Sequence, residues 1–456
     1  MIHRRAFITS LATSAAAGLF APGILAAPLT RTNGAELRGS IDAIAYKTTP
    51  GASDFKSGKL QAMIDNAARN NMPLMLPPGN YTVSNLTLPD NTRIIGVPGA
   101  TRLIYGGDGY LMNADKAKRI ELSGLVLDGG NRWLADYAGA LLQFTGVGDV
   151  RIDNCEIAGS RKHALQLERC GGRIERSRIS GAAEAGIYSV QSTGLQVTGN
   201  SVEDCGNGGI LIHRWGKGED GSSVTDNRIA HIRANNGGTG QNGNGINVFR
   251  ADGVQVSANR ISDCAFSAIR ANSGSNVQIS GNQCLRSGET AIFCEFEFEG
   301  AVINNNLIDG AANGIAVTNF DNGGRLASVT GNVIRNLSAT APYTQDIGLG
   351  IGISAEADTL ISDNVIENAP LCGLRLGWGP YLRNVSATGN IVRHAGIGCV
   401  VSVVDGAGSA VISNNIFQET EKAAIMGFRW DKAASGDLSA GSSQFPQLTV
   451  ANNRVV

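Results

Sequence analysis

A short phrase ending in asparagine recurs along most of the chain and limits what it can fold into. The phrase reads Val-Thr-Gly-Asn at its clearest and supplies the residues Asn154, Asn200, Asn227, Asn259, Asn282, Asn306, Asn332, Asn364, Asn390 and Asn415, with Ser177 in the slot between the first two. Successive positions are 23 to 32 residues apart. Self-similarity at this period predicts a solenoid rather than a globule with one central core.

A second phrase follows in most repeats and consists of Gly or Ala, an aliphatic residue, any residue and another aliphatic, as in Gly209–Ile212 and Gly314–Val317. Both phrases alternate apolar and polar residues, as half-buried strands do. Gly, Asn, Asp and Ser between them turn the chain. Leucine-rich repeats have a similar length, but their leucine spacing and helical half are missing. The sequence therefore predicts an all-β parallel β-helix of about a dozen rungs, in which the stacked asparagines form an amide ladder.

Composition agrees with this architecture and limits the classes of partner that are expected. The chain has 60 glycines among 456 residues and only 17% charged residues, as expected for turn-dense β structure. Its 38 basic and 39 acidic side chains nearly balance, so no bulk attraction to nucleic acid or anionic membrane is expected. After the N-terminal segment no stretch is apolar for long enough to span a bilayer.

The chain divides into four predicted segments. Residues 1–26 resemble a twin-arginine export signal, with Arg4 and Arg5 before a mildly apolar run and cleavage after Ala26; an ordinary secretory signal is the alternative. Residues 27–72 form a lead-in and an amphipathic capping helix with Ser57 as N-cap, residues 73–430 the β-helix, and residues 431–456 a Gly/Ser-rich tail with a final capping strand. The expected location is the periplasm or the medium.

Eight cysteines in an exported protein raise the question of disulfides. Cys205 and Cys264 are two rungs apart, roughly 9–10 Å, which is too far for a bridge. Cys284 and Cys294 occupy inward aliphatic positions. The spacing predicts buried free thiols.

Three segments resemble the first turns of pectate-lyase-like right-handed parallel β-helix proteins: Lys59–Asp65, Leu76–Val83 and Gly124–Gly130. The resemblance implies a right-handed single-stranded parallel β-helix with a short N-terminal α-helical cap. That superfamily includes lyases, hydrolases, epimerases and non-catalytic spikes, so the fold does not fix the chemistry. The Gly-His-Gly motif and Asp-Asp pair of polygalacturonases and the Asp-Pro-His-Glu motif of alginate epimerases are missing. The twin-arginine start followed by Asn repeats also resembles a group of exported bacterial repeat proteins.

The strand of the second phrase carries the candidate site, because the residues between and after its aliphatics point outward. Over the middle rungs these positions collect Arg, His, Asn, Glu and aromatic residues, a composition suited to an acidic polysaccharide, since Arg pairs with carboxylates and aromatics stack on sugar rings. The predicted substrate-binding residues are Tyr188, Arg214, Trp215, Asn247, Phe249, Asn272, Arg375 and Trp378. Loop insertions at 230–244 and 336–349 and an excursion at 215–222 are expected to line this face.

The candidate catalytic residues lie on four successive rungs: His213, Arg250, Arg270 and Glu295. In β-elimination from a uronide, His213 would remove the C5 proton while Arg250 and Arg270 neutralise the adjacent carboxylate. A glycoside hydrolase would instead pair Glu295 with a second carboxylate from Glu297, Glu299 or Asp321. Two non-catalytic interpretations stay open: Arg270 and Glu295 form a surface ion pair, or the chain is an envelope protein that only binds glycan or protein. His163 and His394 flank turns and are expected to be structural.

A calcium site is the one cofactor hypothesis that the sequence raises. Alternation in Cys294–Glu299 would place Glu295, Glu297 and Glu299 on one face, where three carboxylates could hold Ca²⁺. A solvated acidic face is the alternative. Otherwise no cofactor is expected, and the sequence leaves the oligomeric state open.

Overall fold

The computed structural model describes residues 41–42, 57–238, 240–342 and 348–456. They form a parallel β-solenoid of about 14 turns, close to the predicted number, with one α-helix near its start. The predicted export signal and most of the lead-in lie outside the described residues. Within those residues no helix has the length and apolar character needed to cross a membrane.

Each rung contributes strands to three faces. The first face comprises the strands Ile41–Asp42, Leu74–Met75, Thr92–Ile95, Arg119–Ser123, Asp149–Asp153, Gly172–Glu175, Gln196–Thr198, Ser223–Thr225, Gln255–Ser257, Val277–Ser280, Glu299–Asn304, Arg325–Thr330, Ala357–Ser362, Arg383–Thr388, Ala410–Ser413 and Leu448–Ala451. The second face begins directly after the ladder position and comprises Gly79–Val83, Thr101–Tyr105, Val126–Asp128, Glu156–Ala158, Arg178–Ser180, Ser201–Glu203, Arg228–Ile232, Arg260–Cys264, Gln283–Leu285, Leu307–Ala311, Val333–Leu337 and Arg454–Val455.

The third face carries the second sequence phrase. Its strands are Leu86–Thr87, Met112–Asp115, Ala140–Thr145, His163–Glu168, Ala185–Val190, Gly208–Glu219, Asn244–Asp252, Ile269–Asn272, Thr290–Glu295, Asn313–Val317 and Ile351–Ala355. Three long strands run through both the second and third faces: Val365–Leu376, Ile391–Ser402 and Ile416–Arg429. Neighbouring rungs pair in parallel on every face, so their positions lie in straight columns.

The asparagine ladder forms as predicted between the first and second faces. In each step the Oδ1 atom of one asparagine accepts hydrogen bonds from the backbone N–H and the Nδ2 of the preceding one, as Asn259 does from Asn227 at 3.0 Å. Nδ2 also donates to a backbone carbonyl, here Val224 at 2.9 Å. These buried amides are thus paired on both sides, which fixes the register of the rungs.

Both ends of the ladder differ from the prediction. Asn154 has a left-handed backbone with φ of 50° and precedes the ladder position, which Cys155 fills. The backbone N–H of Cys155 donates to the hydroxyl of Ser177, so Ser177 does occupy its slot. At the other end Asn453 extends the ladder by accepting hydrogen bonds from Asn415. The turn position and the ladder position are adjacent in sequence, so an asparagine alone does not identify the latter.

The interior is a continuous stack of aliphatic side chains, including Ile187, Ile210, Ile246 and Ile269, all buried. All eight cysteines are buried and unpaired, which confirms the prediction of free thiols. Burial raises the pKa of the Cys205 thiol to about 12, so the thiolate is strongly disfavoured.

The two ends of the solenoid are covered differently. The helix Gly58–Arg69 buries the predicted residues Leu60, Met63, Ile64 and Ala67 over the first rung. The Ser57 hydroxyl donates to the carbonyl of Ser84 instead of capping the helix. At the other end Lys432–Asp437 folds back antiparallel on the strand that ends at Arg429, so part of the predicted Gly/Ser-rich tail is regular strand.

Candidate functional site

Outward side chains of the third face stack in two rows. The inner row contains Gln166, Tyr188, Leu211, Asn247, Arg270, Phe293 and Ala316, followed by Ser354, Arg375, Val400 and Met426. The outer row contains Glu168, Val190, His213, Phe249, Asn272 and Glu295. Over the middle rungs the outward positions follow the alternation of the strand phrase, as predicted. Residues 350–355, Gly-Ile-Gly-Ile-Ser-Ala, contain this phrase twice, and the second copy sets the register, so that Ser354 and not Gly352 follows Ala316 in the inner row.

Four aromatic rings form a continuous contact series across successive rungs. The centroids of His163 and Tyr188 are 4.7 Å apart, those of Tyr188 and His213 5.5 Å apart, and those of His213 and Phe249 5.5 Å apart. We call His163, Tyr188, His213 and Phe249 the aromatic row. His163 was predicted only as a turn residue; the alignment of Ala140 with His163 places it before the inner row on its strand, where its ring still reaches Tyr188.

Both histidines of the aromatic row are held neutral. Burial, together with a smaller effect of the neighbouring His163, lowers the pKa of His213 to about 4. The pKa of His163 is also lowered to about 4 by burial, and its Nδ1 accepts a hydrogen bond from the backbone N–H of Ala185. The Nε2 atom of His213 is buried and has no hydrogen-bond partner among the described residues. A neutral imidazole with a free nitrogen can accept a proton at neutral pH.

An excursion at residues 214–217 projects from the edge of the aromatic row. The third-face register pairs His213 with Phe249 and then Gly218 with Ala251, so the residues between them bulge outward. Trp215 at its tip is 55% exposed. Its backbone carbonyl accepts a hydrogen bond from Nη1 of Arg250 at 2.7 Å. Lys217 reaches along the solenoid and donates to the backbone carbonyl of Glu297.

Trp215 contacts two arginines, Arg169 through its ring and Arg250 through its backbone carbonyl. The guanidinium of Arg169 is 5.6 Å from the Trp215 ring, and that of Arg250 is 4.8 Å from the Phe249 ring. We call Arg169, Trp215 and Arg250 the first platform. All three are exposed, and they combine a flat apolar surface with positive charge. Arg169 was not among the predicted binding residues.

Arg270, predicted to bind a substrate carboxylate, is instead committed to the protein's own carboxylates. Its Nε donates to Oε1 of Glu295 at 2.6 Å, and its Nη1 lies 3.7 Å from Oε2 of Glu289. Asn272 donates to the same Glu295 oxygen at 2.8 Å. The three charged residues are between 3% and 8% exposed. The predicted pairing of Arg270 with Glu295 is therefore present, but as a buried cluster and not as a surface ion pair.

A loop insertion explains this burial. The inserted segment that includes Gly240 passes directly over Arg270, where a Cβ at Gly240 would lie 1.6 Å from Nη1. Asn236 in the same segment is anchored to Glu184 at 3.1 Å. The insertion thus lies over the third face at Arg270, on the face that this loop was expected to line. Its covering of Arg270 could not be inferred, since the strand pattern gives orientation but not what lies above it.

Two further predicted binding residues are partly or wholly covered. Arg214 donates from Nη1 to the backbone carbonyl of Ser192 at 3.2 Å and lies 3.8 Å from the buried carboxylate of Asp220. Asn247 is 6% exposed between Leu211 and Arg270 in the inner row. These residues shape and support the third face beneath the exposed side chains.

The three glutamates of the calcium hypothesis do not share a face. Glu295 ends a strand of the third face, Phe296 has a left-handed φ of 61°, and Phe298 is buried in the core. Glu299 begins a strand of the first face and pairs with Arg325 at 3.0 Å. The alternation is broken because the chain turns a corner there. Within the described ranges no group of three His, Cys, Asp or Glu side chains is arranged to hold a metal ion.

A second cluster of aromatic and arginine side chains, in which Trp430 is exposed and the other two members are half-buried, lies further along the same edge. Trp378 follows the strand Val365–Leu376 and contacts Trp430, with centroids 5.7 Å apart. The guanidinium of Arg375 is 5.3 Å from the Trp378 ring. We call Arg375, Trp378 and Trp430 the second platform. Arg375 and Trp378 were predicted to bind substrate, whereas Trp430 was missed because it lies beyond the last repeat.

The platforms are separated by six strand-to-strand steps on the third face. At about 4.8 Å per step, the distance along the solenoid axis is about 29 Å. The tryptophans of both platforms lie near the carboxyl ends of third-face strands. An extended polymer lying along this edge could contact both.

Comparisons with known proteins agree with the observed fold. A family described as "Right handed beta helix region" matches residues 139–334. The N-terminal fragment of bacteriophage Phi29 gene product 12 is similar over 91% of this chain and 75% of its own, with 14% identity and a TM-score of 0.52. The Dettilon tailspike protein is similar over 92% of this chain and 69% of its own, with 14% identity and a TM-score of 0.50. No curated protein matches the chain in sequence.

Proposed function

We propose that this right-handed parallel β-helix protein is exported and acts on an acidic, uronate-containing polysaccharide along its third face. The observation that carries the proposal is the first platform, an exposed Trp215 in contact with Arg169 and Arg250, beside the aromatic row. A tryptophan face can stack on a pyranose ring, while guanidinium groups bind carboxylates in two-pronged fashion. The second platform repeats this combination on the same edge.

The reaction that these residues support is β-elimination. His213 is neutral and its Nε2 carries no hydrogen bond from the described residues, so it can accept the C5 proton of a uronide. The electron pair of the C5–H bond then forms the C4=C5 double bond as the C4–O bond breaks, and the departing sugar oxygen takes a proton from water, which leaves an unsaturated uronide. Arg250, which is exposed beside Phe249, is positioned to neutralise the sugar carboxylate. Arg270 pairs with Glu295 beneath the site and does not neutralise the sugar carboxylate.

A second candidate is a non-catalytic glycan-binding protein. The observation that favours it is the burial of the His213 Nε2 atom, which a substrate could reach only after nearby side chains move. A hydrolase is less well supported. The second carboxylate near Arg270 is Glu289, not one of the predicted partners, and both acids flank a buried guanidinium. Asp321 lies in a separate 3-10 turn, Phe320–Asn322.

The test combines binding and product formation. Purified protein lacking residues 1–26 is incubated with pectate, alginate and glycosaminoglycans, with and without Ca²⁺, and the absorbance of unsaturated uronides is followed. Trp215→Ala is expected to weaken binding at least about tenfold, the loss of one stacked aromatic contact. His213→Ala is expected to abolish product while retaining binding.

A matched control is available in Trp133, which is 74% exposed and lies 4.8 Å from the guanidinium of Arg161, on loops that precede third-face strands and thus at the opposite ends of these strands from Trp215. Trp133→Ala should leave binding unchanged. Binding without any product, unaffected by His213→Ala, would establish the non-catalytic alternative. Absence of binding to every acidic glycan would overturn the proposal as a whole.

A further inference from the structure

The second face carries a column of exposed aliphatic side chains that the core does not use. The position directly after each ladder asparagine points outward, and on five consecutive rungs it is occupied by Leu307, Val333, Val365, Ile391 and Ile416. The last four are each 37% to 41% exposed. We call these five residues the aliphatic column.

The aliphatic column is bounded by polar residues at both ends. The same outward position holds Arg228, Arg260 and Gln283 on the preceding rungs, and Arg454 follows Ile416. Its five residues span four rung steps, about 19 Å. Isolated exposed aliphatics are ordinary on a protein surface, but a stacked, bounded series of five marks an interaction site.

A row of alternating charges runs parallel to the aliphatic column, two residues further along each strand. It reads Asp309, Arg335, Glu367 and Arg393 on four consecutive rungs. Neighbours pair within the chain, Asp309 with Arg335 at 2.7 Å and Glu367 with Arg393 at 3.2 Å. Arg393 also lies 3.5 Å from Glu419, and Asp309 also accepts a hydrogen bond from Asn336, yet each of the four side chains is still 29% to 50% exposed.

This order of charges is complementary to the same row on a second copy of the chain, when that copy runs in the opposite direction. Reversing the row gives positive, negative, positive, negative, which is complementary to the row itself. Two copies related by a two-fold axis between the rungs of Arg335 and Glu367 place Arg335 opposite Glu367 and Asp309 opposite Arg393. The same axis places Val333 opposite Val365 and Leu307 opposite Ile391. Copies packed parallel at the same height would instead bring like charges together.

We propose that the aliphatic column and its charge row form a homodimer interface, in which two copies pack antiparallel about a two-fold axis. Such an interface is isologous, as in most symmetric dimers. The aliphatic column at its centre removes apolar surface from water, and the charge row fixes the register and the orientation of the two copies. The third face lies on a different side of each rung and stays accessible in the dimer.

The experiment measures mass by sedimentation velocity over a range of protein concentrations. The unmodified chain is expected to sediment as a dimer. Val365→Lys, which inserts a charge at the centre of the apolar contact, is expected to raise the dissociation constant at least about tenfold. The control Val97→Lys changes a side chain with a similar exposure, 41%, outside this surface and should have no effect.

A charge-reversal pair separates association from effects within one chain. Arg335→Glu places like charges opposite Glu367 of the second copy and should disrupt the dimer. Adding Glu367→Arg restores complementarity between copies, because the row becomes two negative and two positive charges, although neighbours within each chain now repel. Recovery of the dimer in the double variant therefore supports the two-fold contact. A monomer or trimer for the unmodified chain, or failure of the double variant to recover at an unchanged melting temperature, would overturn the proposal.

Discussion

The Nε atom of Arg270 donates a hydrogen bond of 2.6 Å to Oε1 of Glu295 on the next rung, beneath the loop that contains Gly240. The pair joins two rungs and an insertion in one buried cluster. A buried charge pair contributes little net stability compared with apolar packing, but removing Glu295 would leave the Nε of Arg270 and the Nδ2 of Asn272 without their shared acceptor.

Glu295→Ala is therefore expected to lower the free energy of unfolding by about 1–3 kcal/mol, because Glu289 still lies beside the guanidinium and the loss is that of a shared acceptor. The measurement is equilibrium denaturation in urea. Glu297→Ala is the control, because Glu297 is exposed two residues away and its replacement should change stability by less than about 0.5 kcal/mol. Equal effects of the two substitutions would mean that the cluster is solvated in solution.

The aromatic row predicts a loss of stability in mild acid. His163 and His213 have pKa values near 4 in the folded chain, below the ordinary value of 6.5, so the unfolded chain binds more protons between these limits. Their contribution is complete above pH 6.5 and is lost as the pH falls towards 4, by at most roughly 3 kcal/mol for each histidine.

His213→Phe keeps an aromatic ring in the row and removes one titrating group. The fall in stability between pH 6.5 and 4 should become about half as steep as in the unmodified protein. His231→Ala provides the comparison, because His231 is exposed on the second face. If His213→Phe leaves the pH profile of thermal unfolding unchanged, the imidazole is solvated and its pKa is not lowered.

The buried carboxyl group of Glu356 is expected to make the stability of the fold depend on pH in the opposite direction. Burial raises the pKa of its carboxyl to about 7, and the hydrogen bond from the Phe320 N–H offsets only part of this shift. The contribution of this group to stability is present below pH 4.5 and is lost as the pH rises through 7. Glu356→Gln, which can still accept from Phe320, should stabilise the protein at pH 8 and have little effect at pH 4. Glu421→Gln, at an exposed position, should change neither value.

The asparagine ladder predicts a graded response to substitution. Asn259 is 1% exposed, and its side chain joins Asn227, Val224 and Asn282. Asn259→Ala leaves several buried polar groups unpaired and should cost about 3 kcal/mol of unfolding free energy. Asn259→Ser should cost less, because Ser177 serves in the same position between Cys155 and Asn200. Asn235→Ala, in an exposed loop, should be nearly neutral, and a similar cost at both sites would contradict a stabilising ladder.

Much of the fold could be predicted because each rung repeats the same local chemistry. The asparagine fixes a corner, the two-residue period of the next strands fixes which side chains point outward, and stacking extends both rules from rung to rung. Predictions from these rules failed where the sequence was equally compatible with two registers of the strand. Asn154 precedes the ladder position instead of filling it, and the strand phrase near Gly352 occurs twice.

The candidate site was only partly predictable, because orientation does not determine exposure. Arg270 and Glu295 point outward as predicted, yet the insertion with Gly240 covers them. Arg250 remains exposed because its contacts are with the projecting excursion at Trp215. His163 and Trp430 gain their ring partners from neighbouring rungs, which a single strand pattern does not reveal.

The paired amides of the ladder also determine how the molecule can change in length. Each ladder asparagine accepts hydrogen bonds from the preceding rung and donates hydrogen bonds to the following one. Any two consecutive units therefore present compatible ends. Duplicating the 23-residue unit between Asn259 and Asn282 would insert one more coil with no orphaned amide at either junction. The distance between the two tryptophan platforms would then increase by about 4.8 Å. Gain or loss of repeats, in evolution or by design, would therefore change the separation of the platforms in steps of one rung.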